Sequence, residues 1–166
     1  MRPRQVIATV LLFLSAQAFA DWIEPGAAYR CNARARSFSI TSVMETSSPE
    51  DPGTVSAPTG FSIVALGRSV TCSLGHTKVT AKFSVRAPQA TGMCGGITQI
   101  TLQFLRVNGK NVFETPVLFN HYCLDDEALH SIEFKEANGV ARAQICYAGW
   151  DWGVGYHNVR CVAREF

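Results

Sequence analysis

The sequence predicts an all-β protein: an antiparallel β-sandwich or small barrel tied by three disulfides. Three observations carry this. The dominant hydrophobic period is two residues, running without error through Lys78–Arg86. Two Asn-Gly pairs, Asn108-Gly109 and Asn138-Gly139, sit between apolar runs and supply the positive φ angles of a type I′ hairpin turn. Six cysteines follow an export signal, and an even count in an exported chain implies a disulfide framework. Strands do not alternate with helical patterns, so a dinucleotide-binding sheet is not expected.

Residues 1–20 read as a signal peptide. Arg2 and Arg4 precede the apolar run Val6–Leu14, and Ala18 and Ala20 form an A-x-A site before Asp21. The run is too short to span a membrane. Residues 21–166 are expected to form a single domain, soluble after cleavage and located in the periplasm. Losing Arg2 and Arg4 takes the basic residues from 15 to 13, equal to the 13 acidic ones. A neutral chain gives no electrostatic argument for nucleic acid or for an anionic membrane.

The elements follow in order. Ala28–Val43 reads as the first strand, with Tyr29, Cys31, Ala33 and Ala35 alternating with Arg30, Asn32, Arg34 and Arg36. Its phase changes at Ser37, where Phe38 and Ile40 take over. Glu45–Gly60 is rich in Pro, Gly and Ser, and reads as a long mobile loop. Phe61–Leu66 is a short strand. Ser69–Leu74 and Lys78–Arg86 form a hairpin about Gly75-His76, with Val79, Ala81, Phe83 and Val85 facing a core. Pro88–Gly96 is a second loop, held by Cys94. In Ile100–Val107 the apolar set slips from Ile100, Leu102 and Phe104 to Leu105 and Val107, which predicts a bulge near Phe104. Asn111–Phe119 completes that hairpin. Asp125–Leu129 is the one candidate helical turn. His130–Glu136 and Val140–Tyr147 pair about Asn138-Gly139.

The cysteines are Cys31, Cys72, Cys94, Cys123, Cys146 and Cys161. Sequential pairing is expected: Cys31–Cys72, Cys94–Cys123 and Cys146–Cys161. The last is best supported, because the intervening segment looks like a hairpin. No C-x-x-C occurs, so a zinc ribbon and a thioredoxin-like redox role lack support.

The candidate recognition segment lies inside that last pair. Trp150, Asp151, Trp152, Tyr156 and His157 stand among Gly149, Gly153 and Gly155. Aromatics on a glycine-rich loop give large rigid contact area, as recognition loops do. The alternative is that one or both tryptophans cap the core. A neighbouring candidate region comprises His121, Tyr122, Asp125 and Asp126. A hydrolytic site would need a nucleophile or carboxylate beside His121 or His157, and no nucleophile elbow, H-E-x-x-H or paired-carboxylate signature is present. No catalytic residue is assigned. Asp125-Asp126-Glu127 lacks the spacing and glycine of a calcium loop, and no motif calls for a metal or cofactor.

The Tyr29-Arg30-Cys31 start, followed by a disulfide-tied run of strands, resembles the small periplasmic inhibitors of cell-wall hydrolases in Gram-negative bacteria. These include lysozyme inhibitors and immunity proteins paired with type VI secretion effectors. Gly92-Met93-Cys94 and the closing Gly155–Cys161 stretch are also similar to exported proteins of pseudomonads. The Ser-Gly then Tyr pattern of lysozyme inhibitors is absent, so no contact residue is carried over. The resemblance implies a protein partner, a cell-wall hydrolase, blocked sterically. Two alternatives stand beside it: a carbohydrate- or envelope-binding module using Trp150, Trp152, Tyr156 and Asp151, and a small exported hydrolase using His121 or His157.

Overall fold

Period-two runs become strands throughout the computed structural model, which describes residues 22–47, 57–86, 99–114, 116–119, 127–151 and 155–166. Among these residues eleven strands form: β1 (Trp22–Asn32), β2 (Ser37–Ser47), β3 (Ser62–Ile63), β4 (Ser69–Leu74), β5 (Thr77–Arg86), β6 (Gln99–Val107), β7 (Lys110–Asn111), β8 (Val117–Phe119), β9 (Ala128–Ala137), β10 (Val140–Asp151) and β11 (Gly155–Glu165). No helix occurs among the described residues.

All eleven belong to one sheet that curls into a half-barrel. One wing runs β3-β1-β2-β9-β10-β11. The other runs β8-β6-β5-β4, with β7 folded back on β6. A single parallel bridge, Phe119↔Leu129, joins the wings. Across the interior, the Cys31–Cys72 disulfide ties β1 to β4.

The inward rows of both wings make one core. Phe38, Phe83, Phe119 and Phe134 are fully buried, with Ile40, Leu74, Ile100, Leu102, Leu105, Leu129, Ile132 and Ile145 between them. The Phe83 and Phe119 rings meet edge to face, with centroids 5.1 Å apart. Each such side chain stabilises the fold by roughly 1.5–3 kcal/mol through burial.

Both Asn-Gly turns form as expected, with φ of 49° and 84° at Asn108-Gly109 and 54° and 79° at Asn138-Gly139. The bulge falls where the apolar phase slips. Lys82 pairs with Phe104 and Phe83 with Leu102, leaving Gln103 as the extra residue. Its amide uses the freedom to donate to Ser84 Oγ at 2.6 Å.

Several expectations are corrected. The predicted first strand is a hairpin, β1 and β2, turned at Ala33–Arg36. Asn32 Oδ1 accepts from the Ala35 amide, and Arg36 takes a φ of 49°, so an Asx-type turn forms without glycine. The phase change at Ser37 is this reversal. Arg34 and Arg36 therefore lie on a turn, not on a strand face with Arg30. Phe61–Leu66 shortens to Ser62–Ile63, because Val64 then turns inward and its amide bonds to Ala27. Asn111–Phe119 divides into β7 and β8, both pairing with β6. The described part of the expected helical turn is extended: Ala128 and Leu129 pair with β10, and Leu129 also meets Phe119. Val85, one residue from the end of β5, is exposed although its cross-strand partner Ile100 is fully buried. Of the expected mobile loop Glu45–Gly60, residues 45–47 belong instead to β2, while 48–56 lie outside the described residues, as does the whole of the second loop, Pro88–Gly96. The expected signal peptide, residues 1–20, lies outside them too.

The two ends of the half-barrel differ. Tight turns share one rim: Ala33–Arg36, Gly75-His76, Asn108-Gly109 and Asn138-Gly139. Glu136 fastens this rim. Its side chain is fully buried; Oε2 accepts from the Thr77 amide at 3.1 Å and Oε1 lies 3.6 Å from the Arg36 guanidinium. Gly75, at φ +62°, leaves the space the carboxylate fills, since a Cβ there would sit 2.9 Å from Oε1. A buried carboxylate needs such partners. The opposite rim gathers the starts of β1, β6, β9 and β11 and the ends of β2, β5, β8 and β10.

Candidate functional site

The run between Cys146 and Cys161 is a hairpin whose strands extend to that second rim. Cys146 and Cys161 are direct cross-strand partners and are disulfide-bonded. Beyond them the register passes through Gly149↔His157 and Trp150↔Tyr156 to Asp151↔Gly155. A register shift between Tyr147 and Gly149 adds a bulge, which turns the hairpin end. The disulfide thus clamps a β-ribbon whose far end carries the aromatic candidates.

Gly149 is there for a steric reason. A Cβ at this position would stand 2.5 Å from Cε1 and 2.8 Å from Nδ1 of His157. The half-buried imidazole lies against the bare backbone of the opposite strand, and any side chain at 149 must displace it.

Beneath the ribbon lies a polar cluster that no local sequence motif marks. Ser42 on β2 is buried at 6% exposure. Its hydroxyl donates to the Tyr156 hydroxyl at 2.7 Å and lies 2.6 Å from Nδ1 of His130 on β9. With the Ser42 proton committed to Tyr156, His130 donates from Nδ1–H to Ser42 Oγ. The His130 and Tyr156 rings also stack, with centroids 4.0 Å apart. Burial holds His130 below the usual histidine range, favouring neutral imidazole. Burial pushes the Tyr156 phenol up to about 12, against the opposing pull of the Ser42 hydrogen bond.

The signal for this cluster was legible in the period-two pattern. Ser42 is in phase with Phe38 and Ile40, and His130 and Glu136 with Ile132 and Phe134. A polar residue in an inward row requires a buried partner. Here the partners come from strands far apart in sequence, so pattern alone names the residue and not its contact.

On the outside of the ribbon, Arg160 grips Glu127 through two hydrogen bonds, Nε to Oε1 at 3.0 Å and Nη2 to Oε2 at 2.9 Å. The guanidinium also sits 5.2 Å from the Tyr147 ring centroid. Arg160, by its hydrogen bonds and charge, lowers the Glu127 carboxyl below its ordinary value. Glu127 is thereby engaged in a fork with arginine, and with it the start of β9 is tied to β11.

The structure brings Tyr156 and His157 to one rim with the backbone of Trp150 and Asp151. Trp152, His121, Tyr122, Asp125 and Asp126 lie outside the described residues, as do Cys94 and Cys123. Segments 120–126 and 152–154 are nevertheless flanked on both sides by strand ends at this rim, as is 87–98. Disulfides of this kind belong to an oxidising, exported environment. No helix among the described residues is long and apolar enough to cross a membrane, and no group of three His, Cys, Asp or Glu there is placed to hold a metal ion. Comparison with known families, characterised proteins and solved structures finds no match.

Proposed function

We propose that this is a periplasmic binding protein whose second rim inserts into and blocks a partner enzyme, with a peptidoglycan hydrolase as the partner class. The observation that carries the reading is the polarity of the half-barrel. Tight turns close one rim, while every long segment between strands β2 and β11 departs from the other. A rigid sheet that presents its long loops at one end is the arrangement of a recognition surface. The ribbon bearing Trp150, Asp151, Tyr156 and His157 is clamped at Cys146–Cys161 and pinned from below by Ser42 and His130. Preorganisation of this sort lowers the entropy lost on binding.

The third disulfide fits the same picture. With Cys31–Cys72 and Cys146–Cys161 formed, Cys94 and Cys123 remain, one in each of two segments that leave from this rim. Their bond would fasten those segments side by side. Signal cleavage after Ala20 and periplasmic residence belong to this reading. The reading assigns no catalytic residue: the Ser42 hydroxyl is buried and committed as a donor to Tyr156.

The test is inhibition of purified muramidases and peptidoglycan amidases by the mature protein. The reading expects stoichiometric inhibition of one of them, lost in the double variant Trp150→Ala, Trp152→Ala.

A further inference from the structure

A second feature lies away from the rim, on the outer face of β1, β2, β9 and β10. A trough of about 250 Å³ runs across these strands. Its floor is two cross-strand polar pairs, Ser39 with Glu133 and Thr41 with Ser131, from β2 and β9. One wall is Phe61 with Arg30, whose guanidinium rests 4.8 Å from the ring centroid. The other wall is Gln144 with Cys146, which carries the outward-facing disulfide to Cys161.

The charges at the two sides of this floor are opposite and not paired with each other. Register aligns Arg30, Ser39, Glu133 and Gln144 in one row across four strands. Arg30 and Glu133 thus stand two strand spacings apart, roughly 10 Å between backbones. Arg30 has no carboxylate partner among the described residues. Among the described residues Glu133 pairs only with Lys135, at 3.1 Å, in an exposed contact that is easily exchanged. Between them Ser39 is 8% exposed and opens into the trough. Ser39, Ser131 and Gln144 make no side-chain hydrogen bond among the described residues.

The geometry points to a binding site for a small dipolar ligand carrying both a carboxylate and an ammonium group, such as a free amino acid or a short peptide. Arg30 takes the carboxylate through its planar fork, held in orientation by Phe61. Glu133 receives the ammonium in place of Lys135. The hydroxyls of Ser39, Thr41 and Ser131 and the Gln144 amide satisfy the remaining donors and acceptors. A sugar ring is the less fitting occupant, because the aromatic face it would stack on is covered by the Arg30 guanidinium. This site is separate from the rim, so its failure leaves the inhibitor reading untouched.

The experiment is an amide-resolved NMR titration of the folded, oxidised protein with D- and L-alanine and alanyl-alanine, using N-acetylalanine, alaninamide and glucose as controls. The proposal expects saturable shifts at Arg30, Ser39, Ser131 and Glu133 at about millimolar ligand. It expects the N-acetylated and amidated forms to bind at least about tenfold more weakly. Arg30→Ala and Glu133→Gln, with unchanged melting temperatures, should each weaken the zwitterion by a similar factor. No saturable shift by any zwitterion up to about 20 mM, equal binding by N-acetylalanine, or binding by glucose alone would overturn it.

Discussion

Ser42 donates a hydrogen bond to the Tyr156 hydroxyl across 2.7 Å, joining β2 to a residue 114 positions later. The bond fixes the ribbon end to the barrel wall, and His130 completes the chain on the other side of Ser42. Removing the phenol oxygen leaves Ser42 without its acceptor while the ring stack remains. Tyr156→Phe is therefore expected to cost about 1–2 kcal/mol in denaturant unfolding.

The same cluster sets a pH dependence at both ends. The folded state depresses the His130 pKa, so below the unfolded value of about 6.5 the unfolded chain binds more protons. Stability should fall as pH drops from there through the lower folded value. The folded state raises the Tyr156 pKa to about 12, above the unfolded value of about 10. Stability should then fall as pH rises between those two, by on the order of 2 kcal/mol. Urea melts across pH should show both arms. His130→Asn should flatten the acid arm, and Tyr156→Phe should flatten much of the alkaline one.

Gly149→Ala places a Cβ where the His157 ring lies. The expected cost is about 1–3 kcal/mol, as for other over-packed sites. Adding His157→Ala to the same chain should return part of that loss, a coupling that a double-mutant cycle measures. Simple additivity would mean that the ring is not what Gly149 accommodates.

The disulfides make a covalent prediction. Opening the ribbon with Cys146→Ser and Cys161→Ser frees a loop with a sequence separation of 15, for an expected loss of about 3 kcal/mol. Peptide mapping of the oxidised protein should recover Cys31–Cys72, Cys146–Cys161 and Cys94–Cys123. A cross-linked peptide joining Cys94 to any cysteine but Cys123 would contradict the rim arrangement.

The strands and turns were legible because their signals are local. Lys78–Arg86 alternates visibly, both Asn-Gly pairs carry the φ angles their turns need, and the slip near Phe104 announces its bulge. Cys146–Cys161 was legible for the same reason, being the base of one hairpin. The reversal at Ala33–Arg36 was not, because it uses an Asn side chain and a left-handed Arg36 where a glycine would have advertised it. The Ser42–His130–Tyr156 cluster and the Glu136 anchor depend on partners from distant strands. Their inward phase could be read, but their contacts come only from the β2–β9 register and the curl of the sheet. The outer trough is hidden likewise: in the sequence Arg30 is one polar residue of an alternating run, while its neighbours Glu133 and Gln144 arrive from the other half of the chain.

The most direct test of the central claim is the inhibition panel with wild-type protein beside Trp150→Ala, Trp152→Ala. The account predicts that one peptidoglycan hydrolase is inhibited in a one-to-one complex. It further predicts that the double variant loses at least about a hundredfold in affinity, as hot-spot aromatics do, while its melting temperature stays within a few degrees of wild type. A panel in which no hydrolase is bound or inhibited would contradict the account, as would a double variant that inhibits undiminished.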